Sequence, residues 1–325
     1  MKKMKAGIVG CGNIGSLIDK YPGKKPVYTH AGAYFLHPNY ELITGADTNK
    51  KRLYLFGKKW GIKKIYLDYR KMIDKEMPDI VSVCTPKEFH YEIVRYAAEK
   101  GVKVIFCEKP FTGNPYKARE LINLCKRRNV MLAINFTRRY VYSFRKIKQI
   151  ISEGELGLIQ KVNCLYTKGI INNGSHMIDI LSFIFGSSKT VKKLSPTKKS
   201  SLIKNDFDVD FKLDFKKGFI AYIFCCEGKH YGLFEIDIIG SLGRIRVTDS
   251  GFEIKHYRVH ESPLFKGYKE LEAEGMEIRS GMKNAFTCAI ENIYRAYHKK
   301  ENLLCSGIEA LNTVEIIKTL LKRTE

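Results

Sequence analysis

Residues 6–15 read AGIVGCGNIG, a short apolar run that breaks into Gly10-Cys11-Gly12-Asn13-Ile14-Gly15. The spacing is G-x-G-x-x-G, and an apolar run followed by that spacing predicts a strand, a tight turn and a helix start that cradles a dinucleotide. Gly10 suits the turn, Gly12 lets a pyrophosphate approach the backbone, and Gly15 lets the helix pack against the sheet. The amides of Asn13 and Ile14 would aim the helix dipole at phosphate. Six residues alone are a weak signal, and Asp47 strengthens them. It ends the next apolar run, Leu42-Ile43-Thr44-Gly45-Ala46-Asp47, where a carboxylate accepts the adenosine ribose hydroxyls. Its distance from the glycines exceeds the usual spacing of about 20 residues, and the excess falls in a polar stretch, 17–30, read as an extra loop. Asp47 would equally suit a cap for a helix starting at Asn49. Lys50, Lys51 and Arg52 follow and could receive a 2′-phosphate, so NAD is the expected cofactor with NADP left open.

Outward from this stretch, apolar runs at 6–9, 42–46, 80–84, 104–107 and 130–134 alternate with helical patterns at 50–60, 69–76, 91–100 and 118–128. That alternation predicts an α/β fold, a doubly wound parallel sheet of the Rossmann kind with its ligand beyond the carboxyl ends of the strands. After residue 134 the pattern changes. A helix at 142–152 leads to segments of period two, as in 208–215, where Val209, Phe211, Leu213 and Phe215 alternate with polar residues; this predicts a largely antiparallel sheet with one buried face. Gly240-Ser241-Leu242-Gly243 reads as a hairpin turn. Helices at 282–298 and 308–322 close the chain, the last with an apolar stripe of Ile308, Leu311, Val314, Ile317 and Leu321. The expected division is a Rossmann domain over 1–130 and an α+β domain over 131–325.

The 325 residues carry 57 Lys and Arg against 34 Asp and Glu, a net charge of +23. The lysines are dispersed rather than gathered in one arm with interleaved aromatics, so a nucleic-acid partner is not expected, while a bias toward anionic small molecules is. Nine cysteines without a C-x-x-C pair, several inside apolar runs, read as free core cysteines of a reducing compartment. No metal site is legible in the dispersed histidines. No apolar run approaches the roughly 18 residues of a membrane span, and the opening MKKMKAGIVGCG runs into a glycine loop instead of a cleavage site. The expected location is cytoplasmic.

Residues 79–110, DIVSVCTPKEFHYEIVRYAAEKGVKVIFCEKP, resemble the glucose–fructose oxidoreductase and inositol dehydrogenase family, as do 29–34, 67–70 and 306–311. The resemblance spans nearly the whole chain, is strongest over its first 140 residues, and is most specific in Thr85-Pro86 combined with Glu108-Lys109-Pro110. It implies that Thr85 and Pro86 line the nicotinamide side of a dinucleotide and that His90 lies near it. It also implies that Glu108 and Lys109 belong to the cofactor site, with Lys109 reaching the substrate hydroxyl. An ammonium there would lower the pKa of an alcohol losing its proton and stabilise oxyanion charge. His176, in Asn172-Asn173-Gly174-Ser175-His176, matches the family's histidine at a helix start, whose neutral imidazole takes the hydroxyl proton. Asp179 stands one turn on and could orient the ring.

One position departs from the pattern. Many members carry aspartate four residues before that histidine, whereas this chain has Asn172, and an amide holds a hydroxyl but takes no proton. Asn172, Asn173, Arg138, Arg139 and Tyr140 are the expected substrate contacts, with one arginine for substrate and its neighbour for structure. The reading is an oxidoreductase moving hydride between nicotinamide and a secondary alcohol or ketone of a sugar, with a phosphorylated or nucleotide-linked sugar favoured over inositol or another polyol. The rival readings are a dinucleotide-sensing regulator without catalysis and a nucleic-acid binder. Apolar residues on both faces of 219–225, together with the resemblance, imply a homodimer or homotetramer.

Overall fold

The computed structural model describes residues 3–322. The chain divides into two compact units, one of residues through Tyr140 with Lys283–Val314, the other of Val141–Met282 with the chain from Glu315.

In the first unit, β1 (Met4–Val9), β2 (Tyr40–Ala46), β3 (Ile65–Tyr66), β4 (Ile80–Val83), β5 (Val104–Cys107) and β6 (Met131–Ile134) form one sheet in the order β3-β2-β1-β4-β5-β6. Every pairing in it is parallel. β4 and β5 are buried at all four positions, as strands covered by helices on both faces require, with Ser82 the single polar residue among them. The crossovers are α1 (His30–Leu36), α2 (Lys50–Trp60), α3 (Tyr69–Glu76), α4 (His90–Glu99) and α5 (Pro115–Arg127). Their ends follow local chemistry. Asn49 caps α2 by accepting the Arg52 amide, and Gly61 at φ 70° ends it; Asn114 caps α5 with Pro115 in its first turn.

Two expectations need correction here. The helix predicted after the glycine loop is a single π-turn, Asn13–Leu17, so little dipole is available at Asn13 and Ile14. The chain then runs without regular structure to α1, and buried Asp19 ties this insertion down by accepting the Tyr28 amide at 2.7 Å and the Thr29 hydroxyl at 2.5 Å. Lys59 donates to the carbonyls of Ser16, Leu17 and Asp19. The expected domain boundary at 130 also falls one residue before β6, whose pairing with β5 carries the first unit onward to Tyr140.

The second unit opens with α6 (Tyr142–Ser152), β7 (Ile159–Tyr166), α7 (Ser175–Phe185) and β8 (Ser188–Lys193). Two short strands, β9 (Lys198–Lys199) and β10 (Phe207–Asp208), pair apart from the main sheet. β11 (Phe211–Phe215), β12 (Ile220–Cys225), β13 (Phe234–Gly240), β14 (Gly243–Thr248), β15 (Glu253–Glu261), β16 (Lys269–Leu271) and β17 (Met276–Glu277) complete it. Among the described residues the main sheet has nine strands in the order β16-β15-β14-β13-β7-β12-β11-β8, with β17 beside β15. It is antiparallel except where β12 runs parallel to β7. The segment 208–215 is split, because Phe207 and Asp208 pair with β9 while β11 joins β8 and β12. The alternation in β11 holds, with Phe211, Leu213 and Phe215 buried. On the other face of β12, Tyr222 and Phe224 stack and Phe224 is 41% exposed, so this face is not covered within the chain. Among the described residues no helix is long and apolar enough to cross a membrane.

The chain closes with α8 (Ala285–Tyr297) and α9 (Gly307–Leu321). α8 packs in the first unit, where Phe286 meets His30 edge-on at 5.3 Å and Tyr40 donates to the Ile290 carbonyl. In α9 the expected stripe is out of phase. Ile308 is 66% exposed, and the buried positions are Ala310, Thr313, Val314, Ile316 and Leu320. The sequence is apolar on more than one side, so periodicity alone did not select the packed face. Leu320→Ala should therefore cost about 2–5 kcal/mol by leaving a cavity, and Ile308→Ala within about 0.5 kcal/mol. Urea melts of the two variants check this, and equal losses would refute the observed phase.

Candidate active site

The reversal of strand order between β1 and β4 opens a crevice at their carboxyl ends. There a cavity of about 440 Å³ is lined by Val9, Gly10 and Gly12 from the glycine loop, Asp47 and Arg52, and Cys84, Thr85 and Pro86. The three glycines serve different ends. Gly10 sits at φ 94°, and a Cβ there would lie 2.7 Å from the Cys84 carbonyl carbon; a Cβ on Gly15 would run into the Gly10 carbonyl oxygen. At Gly12 a Cβ would meet only the Arg52 side chain, at 3.9 Å. Gly10 and Gly15 are thus needed for packing, whereas Gly12 presents bare backbone to the pocket.

Asp47 is buried and already engaged. One carboxylate oxygen accepts the Cys11 amide at 2.9 Å, the other the Asn49 amide at 2.8 Å and the Arg52 guanidinium at 3.1 Å. A carboxylate has about four lone-pair sites, so capacity for a ribose hydroxyl remains beside its work of clamping the loop. The helix cap is Asn49, with Asp47 bracing the turn before it.

At the end of β4 the Thr85 hydroxyl is buried with no protein partner, and it belongs to the pocket wall. An unpaired buried hydroxyl in a ligand-sized cavity, beside an open glycine backbone, fits a polar ligand such as the dinucleotide. His90 does not line the pocket. It is 1% exposed, with Nε2 2.8 Å from the Thr85 carbonyl and Nδ1 3.0 Å from the Pro110 carbonyl. It braces the Thr85 turn against the segment that follows Lys109.

Glu108 and Lys109 leave β5 at the same edge of the sheet, and the Lys109–Pro110 peptide is cis. Burial pushes the Glu108 carboxyl up, but His30, Asn135 and Lys109 outweigh it and hold the group below its ordinary value. Lys109 is half-buried. After β6, residues Thr137–Tyr140 form a 3₁₀ turn. Arg139 is 3% exposed and donates to the Leu304 carbonyl at 3.2 Å, while Tyr140 is 1% exposed and donates to the Ile134 carbonyl at 3.0 Å. Both are engaged by main-chain carbonyls, so each carries at least a structural role, while Arg138, also buried at 8% exposed, is the one of the pair kept for substrate.

In the second unit, a π-turn at Gly169–Gly174 carries Asn172 and Asn173 into α7, and His176 stands in the first turn of that helix. Sequence reading missed the residue that holds this segment. Asp206, 4% exposed, accepts the amides of Ile171 at 2.9 Å and Asn172 at 2.8 Å. Gly169 is required beside it, since a Cβ there would collide with the Asp206 carboxylate. Asn173 donates to the Leu233 carbonyl at 3.2 Å, so its amide is at least partly structural. Asp179 is buried one turn past His176.

Replacing Gly12 with valine should leave the melting temperature near wild type and abolish dinucleotide binding, whereas Gly15→Ala should destabilise by about 1–3 kcal/mol through overpacking. Calorimetric titration with NAD and thermal melts separate the two; NAD binding retained by Gly12→Val would overturn the role given to that backbone.

Comparison with known proteins agrees with this geometry. The family model described as "Oxidoreductase family, NAD-binding Rossmann fold" matches residues 4–136, and that of the "Oxidoreductase family, C-terminal alpha/beta domain" matches 169–324. D-glucoside 3-dehydrogenase of Escherichia coli is 25% identical over 56% of this chain and 54% of its own length. Myo-inositol 2-dehydrogenase of Thermotoga maritima is 30% identical over 47% of this chain and 42% of its own. The chain thus spans about half the length of these two relatives. The WlbA dehydrogenase of Bordetella pertussis, solved with NADH and UDP-GlcNAcA, superposes with a TM-score of 0.77 at 18% identity, covering 98% of this chain and 95% of that one. With both halves of the fold matched and the pocket built on the glycine loop, the chain belongs to the NAD-binding glucose–fructose oxidoreductase/inositol dehydrogenase (Gfo/Idh/MocA) family of oxidoreductases.

Proposed function

We propose that the protein catalyses reversible hydride transfer between a nicotinamide dinucleotide and a secondary alcohol or ketone of a sugar. The observation that carries this reading is Glu108-Lys109 leaving β5 at the pocket edge of the sheet, with the carboxylate kept charged. When bound, the dinucleotide supplies the hydride acceptor at nicotinamide C4. Gly12 and Thr85 are assigned to hold it, and Asp47 to meet its adenosine ribose, so that NAD is favoured over NADP. Lys109 is assigned to the substrate hydroxyl, where its ammonium stabilises developing negative charge. His176, as neutral imidazole, takes the hydroxyl proton. Arg138 and Asn172 are assigned to substrate, the guanidinium suiting an anionic group. The excess of basic residues and the UDP-linked ligand of the WlbA dehydrogenase support a phosphorylated or nucleotide-linked sugar over free inositol. The exposed Tyr222–Phe224 face of β12 supports self-association into a dimer or tetramer.

The test is a panel of a methyl glucoside, myo-inositol and UDP-N-acetylglucosamine with NAD or NADP, followed by NADH or NADPH absorbance. Lys109→Met should lower turnover by at least about 10²-fold while leaving dinucleotide affinity within about threefold. His176→Asn should flatten the acidic limb of the kcat profile, where the wild type loses rate as the imidazole gains a proton. Near-normal turnover with an unchanged profile in His176→Asn would send the proton elsewhere. Dinucleotide binding with no turnover of any panel sugar would favour a sensor.

A further inference from the structure

Behind the pocket wall lies a buried polar line that the hydride chemistry does not use. Fully buried His30 stands at the start of α1 between Phe106, 4.7 Å away, and Phe286. Its Nε2 is 2.9 Å from Glu108 Oε1, and its Nδ1 is 2.9 Å from Ser82 Oγ, which is 2.8 Å from the Tyr34 hydroxyl. Asn135 donates to the same Glu108 oxygen at 2.6 Å, and the Lys109 amide donates to the other at 3.2 Å.

Donors and acceptors fix the protons along this line. A neutral His30 bearing its proton on Nε2 donates to Glu108 and accepts from Ser82, which accepts from Tyr34. Every proton then has an acceptor. With both ring nitrogens protonated, Ser82 becomes an acceptor for His30, and one of the two hydroxyl protons of Ser82 and Tyr34 is stranded in the core. Tyr34 is fully buried, so the line is closed to solvent and cannot shuttle protons out. It can only hold a charge in place.

We propose that His30 is a positioning residue whose Nε2–H holds Glu108 as a carboxylate beside Lys109, with Ser82 and Tyr34 fixing the tautomer that makes this donor. The inference rests on the reading of Lys109 as a group that contacts substrate. The ionisable groups facing Glu108 are His30 from α1, Lys109 and Cys107 from its own strand, and Cys84 from the end of β4; burial drives both thiols well above their ordinary range, so they are neutral. Burial is the largest influence on Glu108, and it acts to neutralise it. On this proposal, loss of the His30 donor lets burial prevail over the remaining Asn135 and Lys109, and Glu108 takes up a proton on folding.

Two substitutions separate the donor from the packing. His30→Gln places its amide nitrogen where Nε2 was and keeps the bond to Glu108. His30→Asn places its amide oxygen where Nδ1 was, still accepting from Ser82 and losing Glu108. Neither titrates. A carboxyl with a depressed folded pKa contributes stability above its unfolded pKa and loses it as pH falls; one with a raised pKa binds a proton on folding and loses stability as pH rises. Urea melts of the apoprotein from about pH 5 to about pH 8, around the carboxylate reference value, should therefore show the unfolding constant of His30→Asn rising against that of His30→Gln by up to about tenfold per pH unit, until Glu108 is ionised in both. On any panel sugar the wild type oxidises, the acid loss of kcat should begin at a higher pH in His30→Asn than in the wild type, while His30→Gln follows the wild type, with NAD affinity unchanged in both. A difference in stability that does not vary with pH overturns the proposal. Diverging melts without turnover of any sugar leave it standing and sink the hydride-transfer reading instead. Should either His30 variant fail to fold, Asn135→Ala removes the other donor to the same oxygen. Relative to wild type it should move the same way with pH, and a pH-independent offset there overturns the proposal.

Discussion

The chain leaving β1 has to cross the peptide leaving β4, and that crossing has no room for a side chain. Gly10 passes so close to Cys84 and Thr85 that a Cβ would lie 2.7 Å from a carbonyl carbon. β1 is paired on both sides, with β2 and β4, so it cannot shift sideways to relieve the contact. Backbone bonds continue past the strand ends and bring the functional segments level. The Gly10 amide donates to the Ala46 carbonyl, Cys84 to Val9, and Glu108 to Val83. The glycine loop, Asp47, Thr85 and Lys109 thus emerge along one edge because the parallel register delivers them there.

Around that edge the acids act on the backbone more than on basic side chains. Asp19 and Asp47 each accept at least one main-chain amide, and Glu108 accepts one from Lys109; within the second unit Asp206 does the same. In a chain with 57 basic and 34 acidic residues, the acids are the scarcer charge, and those named here shape loops. The overall charge says something about the ligands the surface attracts and little about how the pocket is built.

The Rossmann half was largely legible because its determinants are local. Strand runs buried on both faces, caps at Asn49 and Asn114, and glycines at a strand end all act within a few residues of themselves. What could not be read depends on partners distant in sequence. His90 looks like a cofactor ligand until the Pro110 carbonyl is placed against it, and Arg139 and Tyr140 look like substrate contacts until their carbonyl partners appear. Asp206 carries no motif, and two of its partners are amides more than thirty residues away. The phase of α9 failed for another reason, since several sides of that helix are apolar and only packing selects among them.

Asp206 also bears on the aspartate that the family often carries at position 172 and that is asparagine here. A carboxylate is present near that segment after all, but on the backbone side. Its two oxygens accept from Ile171, Asn172 and Phe207 at 2.7 to 2.9 Å, and the residue is 4% exposed. To serve as a base it would have to weaken bonds that hold the turn leading to α7. Asp206 is therefore poorly placed to replace the missing acid. Asp179 is 1% exposed, so ionising and reprotonating it there carries a desolvation cost. Of the titratable side chains on this segment, His176 is partly exposed, whereas Asp179 and Asp206 are buried. Under the proposed function, the proton transfer is therefore assigned to the imidazole, with the carboxylates of this segment in positioning roles.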